Sequence, residues 1–195
     1  MLKSVLRIGL FGGSFDPVHL GHILVAQAAR EELRLNRLFF IPAAQSPFKP
    51  SRQPTPAAVR SRFLRLSLAG MEWCELDEQE VQRGGISFTI ETVRNYAKRF
   101  PGAHLFYLIG ADHLQQLPKW REAPELARLV HVGVITRPGQ TEASLPAPFH
   151  GQMITGFPLG LSSSQIRSRI KAGLPIDHLV PPAIAESIRN SRLYL

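Results

Sequence analysis

A chain of 195 residues with an ordinary apolar share is long enough to bury one sizeable core, yet no apolar run approaches the roughly 20 residues of a membrane-crossing helix. The N-terminus lacks the long apolar segment and small-residue cleavage site of a secretory leader, and Cys74, the single cysteine, excludes an intrachain disulfide and points to a reducing cytoplasm. Twenty-three Lys and Arg against 15 Asp and Glu leave a formal charge of +8, but the cations are scattered, which favours a solvated basic surface or a field for anionic small substrates over a nucleic-acid footprint.

Val5–Phe11 is a compact apolar run that predicts a strand, and a helix follows from Leu20 to Leu33. Leu38–Ile41 predicts a second short strand, stopped by Pro42. From Ala43 to Pro56 the prolines at 47, 50, 54 and 56 mark a long loop, of a length that is usually functional or mobile. Val59, Phe63, Leu66 and Gly70 follow helical spacing, with Arg60, Arg62 and Arg65 falling largely on other faces. Glu72–Leu76 is a weakly signalled strand. Ile90, Val93, Ala97 and Phe100 share the face of a helix that Pro101-Gly102 stops.

His104–Ile109 is a strong strand that runs into Gly110-Ala111-Asp112. A helix at Glu122–Arg128 leads to the strand Val130–Thr136, which Arg137-Pro138-Gly139 breaks. After a short strand at Gln152–Thr155 the chain reads as helical to its end. Ser162-x-x-Gln165 matches a capping box, with Ile166 and Ile170 facing inward, and Pro181-Pro182 opens a last helix carrying Ile184 and Ile188. Neither a repeat nor a linker is visible, so one domain is expected over residues 1–195, with 161–195 as its helical C-terminal portion. The alternation predicts an α/β fold with a doubly wound parallel sheet. Ligands of such sheets bind at the carboxyl ends of strands, so Gly12–His22, Gly110–Asp112 and Arg137–Gly139 are expected to meet in one cleft.

Gly12-Gly13-Ser14-Phe15-Asp16-Pro17-Val18-His19-Leu20-Gly21-His22 carries the most chemistry. Glycines let backbone approach phosphate, a helix start directs N–H groups at it, and histidines add side-chain donors. The stretch lacks the lysine and hydroxyl of a P-loop and the three-glycine spacing of the dinucleotide fingerprint. Two histidines three residues apart could share a zinc ion, but no Cys or carboxylate cluster offers further ligands at recognisable spacing, so no protein metal site is expected.

His19-Leu20-Gly21-His22 resembles the HxGH signature of the nucleotidyltransferase superfamily related to class I aminoacyl-tRNA synthetases. Leu161-Ser162-Ser163-Ser164-Gln165-Ile166-Arg167 is similar to the ISSTxIR motif of the same superfamily. Arg83-Gly84-Gly85-Ile86-Ser87-Phe88-Thr89-Ile90-Glu91-Thr92-Val93 resembles the ERxGxSYTIDTL segment of bacterial nicotinate-nucleotide adenylyltransferases. Ile109–Asp112, Leu117–Trp120, Thr136–Gly139 and the ending from Leu179 to Tyr194 match that family in the same order.

The resemblance implies a Rossmann-like nucleotidyltransferase fold and transfer of AMP from ATP to nicotinate mononucleotide, with Mg²⁺ carried mainly by ATP. It implies ATP contacts from Gly12, Gly13, Ser14, Phe15, His19, Gly21, His22, Gly110, Ser162, Ser163, Ser164 and Arg167. His22 and His19 would act on the triphosphate, Gly21 leaving room for base and ribose. Ser87, Phe88, Thr89, Asp112 and Trp120 would meet the acceptor, and Lys49 and Arg137 its phosphate. Ser46-Pro47-Phe48-Lys49 departs from a PPHK-like family segment, Phe88 replaces the usual Tyr, and Leu161 and Ser164 replace Ile and Thr.

ATP and nicotinate mononucleotide are thus the expected partners, with no nucleic acid and no membrane, and a homo-oligomer is compatible. The alternatives are the same transfer onto nicotinamide mononucleotide or another phosphorylated acceptor such as phosphopantetheine, and, in another class, a basic nucleic-acid-binding protein with a degenerate nucleotide site. Steep salt dependence without pyrophosphate release would mark the last.

Overall fold

A computed structural model describes residues 5–47, 53–136, 144–157 and 159–195. Six parallel strands form one sheet in the order β3-β2-β1-β4-β5-β6. They are β1 (Arg7–Gly13), β2 (Arg37–Pro42), β3 (Cys74–Leu76), β4 (His104–Gly110), β5 (His131–Ile135) and β6 (Gly151–Ile154). This is the doubly wound order, and its switch point lies between β1 and β4.

Alternation along the strands assigns each side chain to a face. Leu38, Phe40, Phe106 and Leu108 point to one core, together with residues of α1 (Leu20–Glu32), α2 (Ala57–Leu68), α6 (Ser163–Lys171) and α7 (Pro182–Ser191). Phe39, Ile41, Leu105, Tyr107 and Ile109 point to the other, under α4 (Thr89–Arg99), the 3-10 helix Ala111–Lys119 and α5 (Ala123–Leu129). Burial on both faces makes the strands continuous apolar runs, which is why sequence alone located them.

Three findings differ from the sequence expectations. The glycines belong to β1 rather than to a turn: Gly12 pairs with Ile41 and Gly13 with Pro42, so the turn begins at Ser14. Arg60 is not on a solvated face but buried, 1% exposed, because its guanidinium donates to the carbonyls of Ser14 (2.9 Å), Ala43 (2.9 Å) and Thr55 (2.8 Å). Leu66 of the same helix is exposed instead. Finally, the short helix α3 (Gln79–Arg83) and the 3-10 helix, which contains Pro118, interrupt stretches without legible periodicity.

Candidate active site

A cleft of about 590 Å³ opens over the carboxyl ends of β1 and β4, at the switch point. All twelve residues expected at ATP line it, from Gly12 through Arg167. Of the acceptor group, Ser87, Thr89, Asp112 and Trp120 line it as well, whereas Phe88 is not among the lining residues. The Phe88 ring packs under the Arg121 guanidinium, 4.6 Å from ring centre to Cζ. Lys49 and Arg137 lie outside the described residues.

Two helix starts converge on this cleft. Ser162 caps α6: its hydroxyl accepts the Gln165 N–H (3.2 Å), and the Gln165 side chain accepts the Ser162 N–H (2.8 Å), so the expected capping box is formed. The first turn of α6 is then fastened to the turn before α1. Ser163 donates its hydroxyl to the Pro17 carbonyl (2.9 Å), and Arg167 donates to the Asp16 carbonyl (2.6 Å) and to the Ser164 hydroxyl (2.9 Å). With these side chains occupied in the staple, the first-turn N–H groups of Ser163 and Ser164 are the helix's open donors. Asp16 is itself buried, and its carboxyl accepts the Tyr194 hydroxyl (2.8 Å).

His19 stands at the N-cap of α1 and its ring stacks on that of His22, 3.7 Å between centres. His22 also rests against the Phe15 and Phe11 rings. Burial, reinforced by the neighbouring His19, holds the His22 pKa well below that of an ordinary histidine, and burial lowers His19 to about 4. Both rings are therefore neutral at pH 7. The His19 backbone N–H donates to His22 Nδ1 (3.2 Å), which assigns the His22 proton to Nε2. His19 Nδ1 is buried and has no hydrogen-bond partner among the described residues.

Gly21 packs closely against the His19 ring. A Cβ at position 21 would lie 3.0 Å from His19 Nδ1 and Cε1. Gly12 answers a similar constraint, because a Cβ there would come within 2.5 Å of the Tyr107 hydroxyl. The Tyr107 hydroxyl in turn accepts the Thr89 hydroxyl (3.2 Å), and its ring packs T-shaped with Trp120, 6.0 Å between centres.

Sequence reasoning passed over Glu80. It lines the cleft at 4% exposure, accepts the Thr92 hydroxyl at 2.6 Å and is bonded by the Ser87 hydroxyl. Its position in a five-residue helix hid it, although it lies only three residues before the quoted Arg83 segment.

The cleft is thus bordered by two helix starts at the carboxyl ends of a doubly wound parallel sheet, the place where ligands of such sheets bind. Residues 10–169 match the family model described as cytidylyltransferase-like. The chain is 40% identical to a Gemmatimonas aurantiaca protein named "Probable nicotinate-nucleotide adenylyltransferase", over 97% of this chain and 92% of that one. It is 38% identical to an Opitutus terrae protein of the same name, over 97% and 98%. In fold it is similar to the Plasmodium falciparum nicotinic acid mononucleotide adenylyltransferase complexed with NaAD, at a TM-score of 0.79, 17% identity and 97% coverage of each chain. The chain belongs to the nicotinate-nucleotide adenylyltransferase family within the cytidylyltransferase-like proteins.

Proposed function

We propose that this chain transfers AMP from MgATP to nicotinate mononucleotide, giving deamido-NAD and pyrophosphate, as a cytoplasmic step of pyridine-nucleotide synthesis. A phosphate oxygen of the acceptor attacks the α-phosphorus of ATP in line. The new P–O bond forms as the bond to the α,β-bridging oxygen breaks, and pyrophosphate leaves with that electron pair. A phosphate is already ionised near neutral pH, so the protein needs no nucleophile and no dedicated base; positioning and charge stabilisation suffice.

His22 directs its Nε2–H at charge developing on the triphosphate, while His19 and the first turn of α6 hold the β- and γ-phosphates. Among the described residues no group of three or more His, Cys, Asp or Glu comes together. The donors suit anions rather than a bare cation, so the divalent ion enters as part of the nucleotide substrate, held by phosphates and water. At the other end, the first-turn N–H groups of α4 favour an anionic pyridine substituent, with Trp120 against the ring. A buried Cys74, its thiol pushed up to about 12 by burial, suits a reducing compartment.

The observation that supports the reading most is the stapling of the Ser162–Arg167 segment onto the Asp16–Pro17 turn, which brings both phosphate-facing helix starts to one cleft. The test is pyrophosphate release from MgATP with nicotinate mononucleotide and nicotinamide mononucleotide side by side. Release with the acid at a kcat/KM well above that of the amide is expected. Release with neither removes the reading, and equal release removes the acid preference.

A further inference from the structure

We infer that Glu80 is a positioning residue for the acceptor half of the cleft, holding Ser87 and Thr92 so that the start of α4 presents its backbone donors to the pyridine substituent. The inference rests on the acceptor reading given above.

Three observations carry it. Glu80 is buried in the cleft wall at 4% exposure, in a site proposed for an anionic acceptor. A carboxyl there is unfavourable unless its oxygens are occupied, and both Thr92 (2.6 Å) and Ser87 donate hydroxyls to it. Ser87 is engaged on three sides within the fold: its N–H goes to the Gln45 carbonyl (2.9 Å), its hydroxyl oxygen accepts the Ala44 N–H (3.0 Å), and its side chain helps hold the Glu80 pKa down. The network therefore joins three segments, the start of the loop after β2 at Ala44–Gln45, the helix α3 and the beginning of α4.

The consequence is a division of labour between side chain and backbone. Ser87 serves as a spacer between Glu80 and Ala44, and Thr89 and Ile90 supply the first-turn N–H groups that a helix leaves open. Burial raises the Glu80 pKa while the two hydroxyl donors oppose the rise, so the carboxyl acts chiefly as a fixed acceptor rather than as a charge aimed at the substrate.

The test uses the whole enzyme with MgATP and nicotinate mononucleotide. Glu80→Asp withdraws the carboxyl by one methylene. It is expected to raise KM for the mononucleotide about tenfold, with KM for ATP and kcat within about twofold of wild type. Glu80→Gln keeps an acceptor oxygen for both hydroxyls and is expected to stay within about threefold of wild type for both substrates. Ser87→Ala, which leaves Glu80 its Thr92 bond, should reproduce the selective KM rise if the Asp variant does not fold. Equal rises in both KM values, an unchanged mononucleotide KM, or a Gln variant as poor as Asp would overturn the role of Glu80. Wild-type enzyme that releases no pyrophosphate with nicotinate mononucleotide would instead remove the acceptor reading, and this inference with it.

Discussion

At His22 the proton inventory decides what the side chain offers a phosphate. Nδ1 is occupied by the His19 N–H, so Nε2 is the donor, and burial keeps the ring uncharged before the nucleotide arrives. A neutral donor binds the ground-state triphosphate moderately and gains strength as charge accumulates during transfer. His22→Ala should therefore lower kcat by about 10²–10³ with a much smaller change in KM for ATP, measured by pyrophosphate release on protein whose circular dichroism is unchanged. The same burial makes His19 a liability in acid. Its folded pKa, about 4, lies below the unfolded 6.5, so the unfolded chain takes up a proton that the folded chain refuses as pH falls through that interval. Stability is unaffected above pH 6.5 and is lost between there and about pH 4, by up to about 3 kcal/mol from this residue. His22, lowered in the same direction, adds to the loss. Thermal unfolding of the ligand-free protein should show Tm falling from pH 7 to pH 5, and His19→Gln should flatten that slope. A wild-type Tm that does not change over the range would contradict the neutral pair.

Helix α2 shows how one element serves core and site through different residues. Phe63 is 1% exposed among Phe11, Phe40 and Leu64, so Phe63→Ala should destabilise by about 3–5 kcal/mol in a denaturant titration while leaving both KM values near wild type. Arg60, one turn earlier, ties the Ser14, Ala43 and Thr55 carbonyls together, and these belong to the two loops that rim the cleft. A lysine there reaches fewer of them, so Arg60→Lys should cost about 1–3 kcal/mol and also raise KM for both substrates, a pattern that Phe63→Ala should not show. The sequence missed Arg60 for a physical reason: its partners lie 5, 17 and 46 residues away, and local periodicity carries no record of them. Strands β1, β2 and β4 were legible because two-sided burial writes them as apolar runs, and α6 because its cap is local. Glu80 and the 3-10 helix were not, since five residues and a proline-containing segment give too little period to read. HxGH and the serine-rich helix start were visible as motifs, but their stapling through Asp16 and Pro17 is tertiary.

Across the whole molecule the formal charge of +8 is carried by arginines many of which are paired with carboxylates. Arg94 reaches Glu122 and Glu125, Arg121 and Arg83 both reach Glu91, Arg37 pairs with Glu75, and Arg189 pairs with Asp177. Such exposed pairs contribute little stability each, but each offsets a positive charge locally. What remains is a net positive field, which raises the local concentration of small polyanions and is screened beyond about 10 Å at 0.1 M salt. The two ligand classes then differ in slope. A nucleic-acid interface with several phosphate contacts loses about 10³–10⁵ in affinity between 50 and 200 mM salt. If MgATP and the mononucleotide bind in the cleft through short-range donors as proposed, their KM values should rise by no more than about fivefold over the same interval, with kcat unchanged. Parallel measurement of pyrophosphate release and of fluorescent oligonucleotide binding across that salt range separates the cases. Tight oligonucleotide binding with the steep slope, alongside salt-insensitive or absent turnover, would assign the basic excess to nucleic acid instead of to anionic substrates.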